Sequence, residues 1–252
     1  MKRAEKWQVV VVAAALIAGL GMSRTEVAGQ QWSWPERSEN LQNLPADFPA
    51  QRLSAVMRGF TNALGVRCSH CHVGEEGQPL SAYDFASDDN PNKVTARAML
   101  DLLGSVNDHL GELEPSGEEV NMWCHTCHNG KARPQTLAEA ITERSRMESG
   151  QAAVAYFLEL RDRFYGGNQY DFRPNAVAQL GSTFFEAGDT TTASRFLHLN
   201  TEHYPESSAA WEALGDLRSA ESDPAGARTA WERALELSPE NPRIQAKLAG
   251  GN

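Results

Sequence analysis

The chain has 252 residues, 41% of them hydrophobic, and a formal net charge of −10. An acidic chain offers no basic surface for phosphate, which argues against nucleic acid as a partner. Four cysteines in this length exclude a disulfide-dense scaffold, and the length allows two modest domains behind a leader.

The N-terminus reads as a leader. Lys2, Arg3 and Lys6 precede an apolar run from Val9 to Met22, and small residues follow as far as Gly29. That order predicts a secretory signal peptide over residues 1–29. The run is shorter than the roughly 20 residues of a spanning helix. Its alternative is an uncleaved membrane tether through residues 9–22. Both readings place the protein in the periplasm, soluble or anchored at the periplasmic face of the inner membrane.

Asp47 and Pro49 then mark a helix start, and Leu53, Met57, Phe60 and Leu64 recur at helical spacing up to Gly65. Cys68-Ser-His-Cys71-His72 follows at once. Residues 73–92 read as loop. Met99, Leu103, Val106 and Leu110 then give an apolar face to a helix over 94–110. A polar connector leads to Cys124-His-Thr-Cys127-His128, with Gly130 and Pro134 ending a short helix. The arrangement is duplicated: methionine-bearing helix, turn, Cys-x-x-Cys-His.

The repeated pentapeptide uses every cysteine in the chain. It is the attachment signature of c-type haem. Two thiols one turn apart add to the porphyrin vinyls, and the next histidine ligates the iron. A zinc ribbon needs its two knuckles about 15–20 residues apart, whereas Cys71 and Cys124 are 53 positions apart. A redox dithiol does not require a histidine after each pair. The expectation is two covalently attached c-type haems, on Cys68 and Cys71 and on Cys124 and Cys127, with His72 and His128 as axial ligands. For the opposite face of the iron, Met57 and Met99 are sulfur candidates and His109 a competing imidazole. Lys93, Arg97, Arg58 and Arg67 are candidate partners for haem propionates.

These stretches resemble a known family. Asn43-Leu-Pro, Met57-Arg-Gly-Phe, Leu64-Gly-Val-Arg-Cys-Ser-His-Cys-His72-Val-Gly, Thr95-Ala-Arg-Ala-Met99 and Cys124-His-Thr-Cys-His128-Asn-Gly are similar to the cytochrome c subunit of photosynthetic reaction centres and its small diheme relatives. The resemblance covers about residues 40–135. It implies that the helix before each motif supplies an axial methionine, here Met57 and Met99. The photosynthetic subunit carries four haems and often a lipid-bearing cysteine. This chain has motifs for two and no such cysteine, so the resemblance implies a general electron carrier.

The C-terminal part has an internal period of 34 residues. Val177, Leu180, Gly181, Phe184, Ala193, Leu197 and Pro205 align with Trp211, Leu214, Gly215, Arg218, Ala227, Trp231 and Pro239. That is the tetratricopeptide pattern, in which small residues let paired helices approach and large ones fill the gaps. An amphipathic helix with Ala153, Phe157, Leu160 and Phe164 precedes it, and a short helix from Ile244 follows. Both serve as caps.

The expected fold class is all-α: a small diheme cytochrome c helical domain over residues 30–145, then a TPR-like helical hairpin stack over 150–252. The preferred reading is a diheme cytochrome that relays single electrons between redox partner proteins, a partner carrying a basic patch, with the repeats for docking. It is an electron-transfer protein rather than an enzyme. The alternatives are a diheme peroxidase or reductase, drawing on His109 or the acidic loop Asp84 to Asp89 for proton transfer, and a redox-reporting scaffold. Donor, acceptor and oligomeric state carry no sequence signal.

Overall fold

The computed structural model describes residues 32–35, 38–113 and 121–250, so the expected leader over 1–29 lies outside the described residues. The chain divides after Ser33, and the unit that begins at Trp34 holds both motifs and the repeats. Among the described residues every regular element is a helix. A single isolated bridge joins Val73 to Asp84. No described helix is long and apolar enough to cross a membrane.

Helix α1 spans Ala50–Leu64 and ends at Gly65, whose φ of 65° is the left-handed conformation that glycine adopts without penalty. The first motif is a 3₁₀ turn, Cys68–His70, closed by the His72 amide donating to the Cys68 carbonyl at 2.9 Å. Helix α2, Pro91–Glu112, starts with Asn90 capping the Asn92 amide and Pro91 in its first turn. Helix α3, Cys124–His128, is the second motif. Its N-terminus is held by the Trp123 amide on Thr126 Oγ1 at 3.1 Å, and left-handed Asn129 ends it.

The rest of the chain is a hairpin stack. It comprises α4 (Leu137–Met147), α5 (Gly150–Phe164), α6 (Pro174–Glu186), α7 (Thr190–His203), α8 (Ser208–Ala220), α9 (Pro224–Leu237) and α10 (Pro242–Gly250). Consecutive helices pair as α4 with α5, α6 with α7 and α8 with α9, and α10 packs on α9. The small positions act as the period requires. A Cβ on Gly181 would lie 2.6 Å from Leu197, and one on Gly215 2.4 Å from Trp231. Phe157, Phe184 and Phe196 centre the core, with Phe196 5.4 Å from each of the other two rings. Burying one such side chain contributes about 1.5–3 kcal/mol.

Two features go beyond the 34-residue pattern. Helix α4 is unanticipated, yet its Leu137, Ala140 and Ile141 belong to the same core as the repeats. Its start was written in the chain: Thr136 caps the Glu139 amide, and the Glu139 carboxylate accepts the Thr136 amide. The second feature is Asn200, which stands where the repeat wants a small residue. It is fully buried and donates to the Pro174 carbonyl at 2.9 Å. One repeat later the bond runs the other way, from the Ser208 hydroxyl to the Ala234 carbonyl at 2.8 Å.

Candidate haem-binding site

Each motif is held by the elements around it, and α2 runs between them. At its start Asn92 donates to the His70 carbonyl at 2.9 Å, and Asn90 to that of Ser69 at 3.4 Å. Near its end Asn107 takes both main-chain groups of Met122, accepting from its amide at 2.7 Å and donating to its carbonyl at 3.0 Å. Fifteen residues separate Asn92 from Asn107, about 22 Å of helix. Helix α1 packs instead against α3. The Gly130 amide donates to the Ala63 carbonyl at 2.7 Å, and Phe60 stacks on Trp123 at 6.3 Å. The methionine helix before the first motif is thus built onto the second.

All four thiols are free. Burial, helped by neighbouring Cys68, pushes the Cys71 thiol up, and burial pushes Cys124 up as well. A catalytic dithiol needs its nucleophile shifted downward, and Cys71 and Cys124 move the other way.

The two motif histidines differ. His72 Nδ1 is buried without a hydrogen-bond partner, and the ring meets Phe85 edge-on at 4.9 Å. Burial, then Lys93, lowers its pKa against the opposing pull of the Phe85 backbone, the direction that favours the neutral ring. His128 Nδ1 lies 2.9 Å from the Lys131 carbonyl. Nδ1 thereby becomes the donor, which leaves Nε2 as the nitrogen with a lone pair to offer a metal.

The methionines sit on faces that suit the group. Met57 is half-buried on α1, while Met99 is 44% exposed on α2 beside Leu102 at 54%. Helix α2 has no extensive packing partner among the described helices. Its uncovered apolar face is what a flat apolar ring would bury. An orphaned buried imidazole nitrogen, a second imidazole fixed by its far nitrogen and an unpaired apolar helix beside thiols all fit c-type haem.

Several further candidates are committed elsewhere. Lys93 is buried and donates to the carbonyls of Phe85, Ala86 and Ser87 at 2.7–3.0 Å, so it organises the loop before α2 rather than offering its charge to propionates. Arg97 pairs with Asp88 at 2.8 Å, and Arg67 with Glu76 at 2.7 Å. Arg97 foremost, then Asn40, holds the Asp88 carboxyl well below the usual range. Asp88 is therefore not poised to donate a proton. Asp84 accepts the amides of Ala86 and Ser87. His109 is exposed, with Nδ1 3.4 Å from Glu112.

Residues 35–156 match the family model described as the photosynthetic reaction centre cytochrome C subunit. Cytochrome c-554 of Chloroflexus aurantiacus is 35% identical over 104 residues, covering 40% of this chain and 23% of that protein. A TPR repeat-containing protein of Pseudomonas aeruginosa is 40% identical over 68 residues, covering 27% of this chain and 65% of its own. The solved first TPR domain of the human RPAP3 protein aligns with a TM-score of 0.32 at 19% identity, covering 45% of this chain and 84% of that one. The chain thus spans about a quarter of the cytochrome and just under two thirds of the repeat protein. It resembles the reaction-centre cytochrome c subunit family in its first part and tetratricopeptide-repeat proteins in its second, where the sequence has a 34-residue period. The family implies covalently bound c-type haem.

Proposed function

We propose, from that family resemblance, that the protein is a periplasmic diheme c-type cytochrome that relays single electrons between redox partner proteins. Cys68 and Cys71 hold one haem, and Cys124 and Cys127 the other. His72 and His128 are the proximal ligands, with Met57 and Met99 opposite them. When bound, haem supplies a one-electron Fe(III)/Fe(II) couple.

The chain's own residues do the rest. The four thiols fix the ring edges. Phe85 and the Lys131 carbonyl orient the imidazoles. Asn90, Asn92 and Asn107 tie both motifs to one helix, so that their separation stays constant during transfer. Met57 and Met99 as second ligands to the irons would leave no open position for substrate, which favours transfer over turnover. The single observation that carries this reading is a pair of free thiols followed by a histidine, twice in one unit, with Nδ1 of the second histidine committed to a backbone carbonyl. The acidic chain suits a partner with a basic patch, and the repeat stack is the docking element.

The test is denatured intact mass of the chain from a host that attaches c-type haem. Two haems on a chain beginning near Gln30 are expected. A haem-free mass, or one carrying zinc, overturns the reading. Met57→Ala and Met99→Ala are each expected to convert one iron to a five-coordinate, high-spin spectrum.

A further inference from the structure

Lys131 is joined to the second motif by its main chain and to the repeat stack by its side chain. Its amide donates to the His128 carbonyl at 2.9 Å, and its carbonyl stands 2.9 Å from His128 Nδ1. Its ammonium donates to the Gln135 carbonyl at 2.7 Å and to that of Gln169 at 2.9 Å, and lies 4.5 Å from the Tyr170 ring centre. Gln169 and Tyr170 sit between α5 and α6, inside the hairpin stack. Tyr170 packs on Phe164 at 5.4 Å and on buried Phe172 at 6.1 Å. Asn129 reinforces the junction by donating to Asn168. A continuous series of contacts therefore runs from the repeat core through Tyr170 and the Lys131 ammonium to the Lys131 carbonyl and the His128 ring. At the first motif His72 Nδ1 has no hydrogen-bond partner, and the Phe85 backbone is what acts on the ring.

We propose that Lys131 is a positioning residue through which the repeat stack fixes the second proximal histidine and sets the reduction potential of that haem alone. The inference rests on the reading that His128 ligates iron. With Nε2 on the metal, the Nδ1 proton donates to the Lys131 carbonyl. A firm bond of this kind raises the basicity of the ligand and favours ferric iron. Releasing the ammonium frees the turn after α3, lengthens that bond and weakens the ferric preference. The repeats thus tune an electron carrier in addition to any docking role.

The experiment uses the full-length holoprotein and spectroelectrochemical titration of both haems. Lys131→Met is expected to raise one of the two midpoint potentials, by up to about tenfold in the equilibrium constant, or about 59 mV for one electron. The other potential stays fixed. Tyr170→Leu, which takes the ring face from the ammonium, is expected to move the same potential in the same direction by less, and Tyr170→Phe to leave it in place. If Lys131→Met fails to fold, the Tyr170 pair carries the test. Unchanged potentials in Lys131→Met and Tyr170→Leu, or equal shifts of both haems, overturn the proposal while intact mass still reads two haems. A wild-type chain without haem overturns the cytochrome reading instead.

Discussion

Gly65→Ala puts a price on the contact that brings the two motifs together. Gly65 closes α1 in the left-handed region, and its carbonyl accepts from Arg163 at 2.8 Å. A Cβ there would stand 2.0 Å from the Gly130 carbonyl oxygen and 2.8 Å from its carbon. These are backbone atoms, so no side-chain rotation relieves the clash. Holding alanine at this φ costs about 1–2 kcal/mol. Pushing the Gly130 peptide away adds about 1–3 kcal/mol of overpacking. It also breaks the 2.7 Å bond from the Gly130 amide to Ala63, worth about 0.5–1.5 kcal/mol. The stiffer unfolded chain returns about 0.4–1 kcal/mol. The net loss is about 2–6 kcal/mol, which lowers the melting temperature of a chain this size by about 4 °C or more. The control is Gly77→Ala, where φ is 88° and no atom lies within 4 Å of the added carbon. It bears the conformational strain alone. Thermal unfolding of both holoproteins, followed by far-UV circular dichroism and haem absorbance, gives the comparison. Equal melting of the two variants refutes the α1–α3 contact as a source of stability.

Two further outcomes concern the repeats. Ser222 occupies the position one period after Gly188, and both are left-handed, with φ of 64° and 82°. Ser222→Gly is expected to stabilise by about 0.5–1 kcal/mol, because relief of strain outweighs the looser unfolded chain; chemical denaturation at neutral pH measures it, and a lower midpoint contradicts it. Glu212 is buried on α8 and pairs with Arg243 and Lys247 of α10 at 2.7 Å each. Burial raises its pKa, but the bonds from Arg243 and Lys247 outweigh burial and the net direction is down. A folded value below the unfolded one means stability that is present above the unfolded carboxylate pKa of about 4.3 and lost as pH falls through the folded value. Glu212→Gln is therefore expected to lower stability by about 1.5–3 kcal/mol at pH 7, with a gap to wild type that closes in acid. A gap constant from pH 7 to pH 3 rules the ion pairs out as its cause.

Side-chain pattern made much of this molecule legible. The spacing of Leu53, Met57, Phe60 and Leu64 gave α1 and its glycine stop, and a 34-residue period gave α6 to α9 with the close approaches at Gly181 and Gly215. Helix α2 extends beyond the expected 94–110 at both ends, because the Asn90 cap and Pro91 were read as loop. What the pattern missed was mostly main chain. Lys93 looked like a free charge because the three carbonyls that hold it have no signature in residue identity. Lys131 has no such signature either, nor does the approach of Gly65 to Gly130, two loop residues far apart in sequence. Helix α4 was missed although its Thr136 and Glu139 spell a capping box, since its apolar face is short and its partners lie on α5.

The distribution of buried residues divides the labour between the two parts. Among the described residues, Leu53 and Ala63 are the buried apolar positions before Pro134, and every other one lies at Leu137 or beyond. The repeat half therefore has a core of its own, closed at its C-terminal end by α10. The first half is built from polar ties: Asn107 to Met122, Asn92 to His70, Lys93 to its loop, and Arg97 with Asn40 to Asp88. Such bonds fix geometry well but each contributes only about 0.5–1.5 kcal/mol net, too little to order a hundred residues against their conformational entropy. Exposed Met99, Leu102 and Trp123 are the apolar surface left to close the balance. Order around the two motifs then has two sources: under the proposed function, an apolar group held on the four cysteines, and the junction from Asn129 and Lys131 to residues 168–170. The second source is already assembled on the repeat core. The second motif consequently stands on a rigid base, while the first depends on α2 and the loop gathered by Lys93.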